Sequence, residues 1–261
     1  MTILSAEQLT IGYEGRTIVE QLDLQFHPRQ ITAILGPNGC GKSTILKTMA
    51  RLHPASSGAV YLDGSLIAKI PTKEIAKKMA ILPQSPEAPS GLTVEDLIAF
   101  GRTPHQSGFS RLSGHDRRMV DWSLEVTGLS ELKQQAVDTL SGGQRQRAWI
   151  AMAIAQETQL LLLDEPTTYL DLAHQLEVLE LLKKLNEKEG RTIVMVIHDL
   201  NHAARFAHRI VALRNGKIVK QGSAEEVITS DVLRQVFHIE STIVNDPRTG
   251  RPTMLSYDLI Q

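Results

Sequence analysis

Gly36-Pro37-Asn38-Gly39-Cys40-Gly41-Lys42-Ser43-Thr44 follows the apolar run Ile31, Ala33, Ile34, Leu35 and precedes a helix-like segment, an order of residues suited to holding phosphate. The three glycines let the backbone turn back with its N–H groups aimed inward at an anion. The helix that follows offers its own free N–H groups and the positive end of its dipole. Lys42 has the reach for the outer phosphates of a nucleotide, and the Ser43 hydroxyl suits Mg2+. This is the P-loop, or Walker A, pattern. A plain glycine-rich turn between strand and helix would satisfy the same fixed positions, so the remaining motifs decide.

The run Leu160-Leu161-Leu162-Leu163-Asp164-Glu165 sets two carboxylates at the C-terminal end of a buried strand, where parallel α/β sheets bind their ligands. Two adjacent carboxylates need a cation to be tolerated there. Mg2+ bound with a nucleotide supplies it: Asp164 can hold the metal shell and Glu165 can polarise an attacking water. A second phosphate-seeking helix start is Leu140-Ser141-Gly142-Gly143-Gln144, ahead of Ala148, Ala151, Ala153 and Ala155. One nucleotide cannot easily use both helix starts. His198 and His202 are spaced like two metal ligands on one helical face, with no cysteine or third histidine to complete a site. Cys40, a lone thiol, is expected to fill space rather than react, although alkylation there should block the cradle. Tyr13 is either an exposed ring for stacking or a half-buried strand end, and its spacing leaves both open.

The pentapeptide Leu140 to Gln144 resembles the signature motif of ABC-transporter ATPases, and the order of the motifs along the chain is that family's order. The resemblance covers essentially the whole chain. It implies head-to-tail homodimers in which ATP on the P-loop of one subunit is closed over by Ser141, Gly142, Gly143 and Gln144 of the other. It further implies that Tyr13 stacks on adenine, that Gln84 links Mg2+ and water to a membrane subunit, that Asp171 is the D-loop aspartate, and that His198 is the switch histidine at the γ-phosphate.

The elements that must position these residues are legible in outline. Leu22, Leu24 and Phe26 alternate with polar residues as in a strand with one wet face, and Val60 to Leu62 and Met79 to Leu82 read as further strands. Thr93 with Asp96, and Ser113 with Asp116, resemble helix N-caps on either side of the polar stretch Thr103 to Gly114. A long helix is expected over Leu172 to Glu189, with Gly190 as its stop, then a buried strand over Thr192 to Ile197. Asn215-Gly216 signals a hairpin, two short helices follow from Ser223 to Phe237, and an extended tail ends the chain. With the resemblance this implies an α/β fold: a P-loop NTPase (RecA-like) core with an N-terminal antiparallel β subdomain, about 1–84 and 158–240. An inserted α-helical signature subdomain would span about 85–157, and 241–261 would form the tail.

The 261 residues suffice for one large α/β domain or two small ones, and 28 basic against 29 acidic residues leave no footprint for nonspecific nucleic-acid binding. One cysteine excludes an internal disulfide and fits a reducing compartment. The first seven residues lack the basic and apolar regions of a signal peptide, and the longest apolar runs fall far short of the ~20 residues of a membrane span. A membrane role therefore requires a partner.

Thr168-Tyr169 before Leu170-Asp171, Gly101-Arg102-Thr103-Pro104-His105-Gln106, His198 to Arg205, and the tail Asp246 to Pro252 look like the subfamily that imports iron-siderophore complexes. Haem and cobalamin importers share much of this pattern. The resemblance implies a cytoplasmic ATPase, peripheral on the cell membrane through polytopic permease subunits and served indirectly by a substrate-binding protein. A soluble ABC ATPase acting on DNA or ribosomes is disfavoured by the single signature, the absence of a coiled-coil insertion and the near-zero charge. A P-loop kinase would leave Ser141 to Gln144 unused.

Overall fold

The computed structural model describes residues 3–13, 15–106 and 111–260. Its chain divides into two units, Met1–Lys69 with Thr192–Gln261, and Ile70–Arg191. Met1 and Thr2 of the N-terminal stretch, Glu14 of the Tyr13 loop, and residues 107–110 of the polar stretch lie outside the described residues.

The first unit opens with β1 (Leu4–Tyr13) and β2 (Arg16–Gln25), paired antiparallel. Tyr13 pairs with Arg16 and closes β1, so it is a strand end whose ring is nonetheless exposed. Leu9, Ile11, Val19, Leu22 and Leu24 are buried, so the alternation marks the covered face of this sheet. β3 (Ile31–Leu35) is buried at all five positions, and after the phosphate loop comes α1 (Lys42–Met49). β4 (Ser57–Leu62) joins the other edge of β1, and the short β5 (Ser65–Leu66) pairs with β4.

In the second unit α2 (Thr72–Lys78) leads into β6 (Met79–Leu82). Three helices follow, α3 (Val94–Phe100), α4 (Gly114–Val126) and α5 (Gly142–Ala155), and they pack on one another. The expected caps form: Thr93 with Asp96, and Ser113 with Asp116, each make a reciprocal capping box. β7 (Leu160–Asp164) runs parallel to β6, with Leu82 opposite Leu163. Its four leucines are at most 1% exposed. Together they contribute roughly 6–12 kcal/mol, enough to carry the buried Asp164 carboxylate, whose desolvation costs several kcal/mol. α6 (Leu172–Glu189) buries Val178, Leu179, Leu182 and Leu185 and stops at Gly190, which takes φ 66.

The chain then re-enters the first unit with β8 (Thr192–Val196), α7 (Leu200–Phe206), β9 (Arg209–Arg214) and β10 (Lys217–Gly222). β8 and β9 flank β3 in parallel, and β10 turns back on β9. Asn215 and Gly216 both have positive φ, 49 and 73, the hairpin geometry this dipeptide favours. After α8 (Ala224–Val227) and α9 (Ser230–Phe237), the expected extended tail is instead a hairpin of β11 (Ile239–Asn245) and β12 (Pro252–Leu259). Its turn is built locally: Asp246 Oδ1 accepts from the N–H groups of Arg248 and Thr249, and Gly250 sits at φ 71.

Candidate functional site

The loop between β3 and α1 has the geometry of an anion cradle. Gly41 precedes α1 at φ 103, and no side chain caps that helix start, so its first-turn N–H groups face outward from the helix end. Gly39 takes φ 76. A Cβ on Gly36 would lie 2.3 Å from Leu213 O, so only glycine passes there. The β9–β10 hairpin supports the loop, since Gly216 N–H donates to Cys40 O at 3.1 Å. Lys42 is 5% exposed, and its Nζ donates to Gly36 O at 2.8 Å and Pro37 O at 3.0 Å. An ammonium lying across the loop's own carbonyls, beside an uncapped helix start, fits a phosphate chain by charge and by hydrogen-bond supply. Ser43 and Thr44 are half-buried on the first turn of α1, and Asn38 is exposed at the loop's crest. Cys40 is buried; burial pushes its thiol pKa up, and the Lys42 charge only partly opposes this.

Tyr13 is 45% exposed, and its ring stacks on His53 with centroids 4.2 Å apart. His53 Nε2 donates to Gly12 O at 3.2 Å, which fixes the imidazole beneath one face of the tyrosine. In the same unit, Ile197 N–H donates to Ile34 O at 3.2 Å, His198 follows it, and Asp199 Oδ1 caps α7 by accepting from His202 N–H at 2.7 Å. His202 is 7% exposed and meets Phe206 edge-on, so it belongs to the packed side of α7. The metal-pair reading of His198 and His202 therefore gives way to a core role for His202.

The second unit holds the carboxylates. Asp164 ends β7 at 1% exposure. Glu165 follows with φ 54, in the left-handed region, a conformation that costs on the order of 1–2 kcal/mol. It is held there from two sides: Gln84 Nε2 donates to Glu165 Oε2 at 2.6 Å and Thr168 Oγ1 donates to the same oxygen at 2.9 Å. Gln84 arrives because β6 and β7 are in parallel register, so the residues two beyond the Leu82–Leu163 pair emerge side by side.

Ser141 caps α5 through a capping box with Gln144, and Gly142 and Gly143 form the first turn. A Cβ on Gly143 would stand 2.4 Å from His174 Cδ2, so glycine is required for that ring to approach. Asp171 caps α6, accepting from His174 N–H at 2.9 Å, and the same oxygen meets His174 Nδ1 at 2.7 Å. These bonds, the peptide N–H first and the imidazole second, lower the Asp171 pKa. Tyr169 takes φ 65 and is 89% exposed.

The sequence-predicted residues thus fall into local groups: Tyr13, the 36–44 loop and His198 in the first unit, and Gln84, Ser141 to Gln144, Asp164, Glu165 and Asp171 in the second. Three contacting residues were missed. His53 and Thr168 had no local signal; His174, three residues after a cap aspartate, was legible as a capping position.

A family profile for ABC transporters matches residues 19–168. The iron(3+)-hydroxamate import ATP-binding protein FhuC of Bacillus subtilis (strain 168) is 62% identical over 261 residues, covering 100% of this chain and 97% of that protein. Among solved structures, an ABC transporter assigned to the metal-chelate type, in an inward-facing conformation, matches with TM-score 0.84 at 30% identity, covering 97% of this chain and 96% of that one. A dimeric ATP-binding cassette in a post-hydrolysis state with ADP and Pi matches with TM-score 0.74 at 29% identity, covering 84% and 98%.

Proposed function

Since this chain belongs to the ABC transporter family, we propose that it is the ATP-hydrolysing motor of an importer that carries ferric siderophores, of the hydroxamate class, through a separate permease. The observation that carries the cargo assignment is the 62% identity across the whole chain to an iron(3+)-hydroxamate import ATP-binding protein. The geometry supports the chemistry: an uncapped helix start beside Lys42, and a carboxylate held in a left-handed backbone by Gln84 and Thr168.

In this reading Tyr13 stacks on adenine, and residues 36–44 with Lys42 bind the phosphates of ATP. Ser43, Gln84 and Asp164 would hold Mg2+, which would supply charge neutralisation on the transferred phosphate. Glu165 accepts a proton from the attacking water, and His198 contacts the γ-phosphate. Ser141, Gly142, Gly143 and Gln144 serve the nucleotide of a second copy in a head-to-tail homodimer, with Asp171 at that interface; the dimeric cassette among the structural matches supports this assembly. The RecA-like core with its β subdomain, 1–84 and 158–240, would bind nucleotide, and the helical insertion 85–157 would meet the permease. No helix among the described residues is long and apolar enough to cross a membrane. In this reading the motor sits on the cytoplasmic face through its permease, with the substrate-binding protein reached only indirectly.

The test is uptake of radiolabelled iron as hydroxamate and catecholate siderophores, with labelled haem and cobalamin alongside, in cells carrying this protein or its Glu165→Gln form. Loss of hydroxamate-bound iron uptake alone supports the assignment. Loss of haem or cobalamin uptake instead reassigns the cargo, and unchanged uptake of every compound removes the importer role for those cargoes.

A further inference from the structure

The C-terminal hairpin grips α7 at both ends. The Asn201 carboxamide makes a two-way bond with the Met254 peptide: Nδ2 donates to Met254 O at 3.2 Å, and Met254 N–H donates to Oδ1 at 2.8 Å. At the other end, Arg251 Nη1 donates to Ala204 O at 3.3 Å and Ala207 O at 3.0 Å. Carbonyls in the last turn of a helix lack partners within it, and a cation is favoured there, so Arg251 serves that end twice over. His198 lies directly between β8 and this helix. Beside it is a hollow of ≈ 370 Å³ whose walls include His198, Asn201, Met254 and Tyr257. Here the Asn201–Met254 hydrogen bonds bridge α7 and the hairpin beside an open hollow.

We propose that the β11–β12 hairpin is a brace that sets the stance of α7 and hence of His198, making Asn201 and Arg251 positioning residues for ATP hydrolysis. The proposal rests on the reading of His198 as the residue that contacts the γ-phosphate. On its strand side His198 follows the Ile197–Ile34 bond to the sheet, and on its helix side Asp199 alone separates it from α7. The phosphate loop has separate support, from Gly216 on the β9–β10 hairpin. Loosening the brace should therefore displace His198 without disturbing Lys42 and the phosphate loop, so kcat falls while ATP affinity, carried mainly by that loop, holds.

The experiment is a double-mutant cycle on the full chain, reading ATPase kcat and, separately, the Kd of a fluorescent ATP analogue. Asn201→Ala is expected to lower kcat roughly three- to tenfold with Kd changed by less than about twofold, and to cause no further loss in a His198→Ala background. Arg251→Lys, which retains a charged donor, should lose less than Arg251→Ala. If Asn201→Ala fails to fold, Asn201→Asp keeps the acceptor for Met254 N–H and reads the same quantity. Effects of Asn201→Ala and His198→Ala that multiply in the double variant overturn the brace, as does full kcat in Asn201→Ala beside an impaired His198→Ala. Full turnover in His198→Ala removes the γ-phosphate reading itself, and the brace with it.

Discussion

Gln84 Nε2 donates to Glu165 Oε2 at 2.6 Å, across 81 residues of sequence, and Thr168 Oγ1 shares that oxygen. The carboxylate is thus aimed by two donors while its backbone is held in a left-handed conformation. If Glu165 takes the proton of the attacking water, Glu165→Gln should retain ATP binding and lower turnover by about 10²–10⁴-fold. It should also trap an ATP-dependent dimer in size-exclusion chromatography. A variant that stays monomeric with ATP and hydrolyses normally removes Glu165 from that role.

Ser141 has two separable duties. As the cap of α5 it contributes about 1 kcal/mol, which Ser141→Ala should lose in chemical denaturation. Ser141→Asp keeps an acceptor at the cap, yet sets a negative charge where the partner's phosphate would lie. Both variants should lower turnover roughly 100-fold with monomer affinity for ATP nearly intact. Normal turnover in Ser141→Asp would confine this residue to capping.

Cys40 is buried within the phosphate loop and its thiol pKa is raised, chiefly by burial. Maleimide labelling should accordingly be slow at neutral pH and accelerate as pH rises above the usual thiol range. Mg-ATP should slow it further, and the labelled protein should no longer bind nucleotide. Mass spectrometry of the labelled peptide with and without Mg-ATP checks this; identical rates would place the nucleotide elsewhere.

Asp116 accepts from Arg102 Nε at 2.8 Å, and Arg102 is only 1% exposed. Burial would raise the Asp116 pKa, but the Ser113 and Arg102 hydrogen bonds more than offset it and bring the pKa to about 2. Because the folded value lies below the ordinary one, the stabilisation is fully present above about pH 4 and is lost as pH falls toward 2. Asp116→Ala should cost about 3 kcal/mol at neutral pH, by leaving a buried guanidinium underpaired, and should flatten the urea midpoint between pH 4 and 2. An unchanged acid profile in this variant would remove Asp116 from the balance.

By itself, the sequence determined whatever depends on a few neighbouring residues. The caps at Thr93 and Ser113, the helix start at Ser141, the Asn215-Gly216 turn, the apolar strand Leu160 to Leu163 and the phosphate loop were all legible, because a capping bond or a positive φ acts within four residues. Lys42, Ser43, Asp164 and Glu165 were readable for the same reason, in short motifs, whereas the roles of Tyr13, Gln84, Asp171 and His198 came only from the family resemblance. Tertiary structure alone decided which distant groups meet. Parallel register delivers Gln84 to Glu165; the Gly216 hairpin supports Cys40; His174 closes on Gly143; and Asn201 engages a tail hairpin 53 residues away. No local pattern encodes those pairings, since they follow from how strands align once their apolar faces are buried, a choice made by the whole core at once.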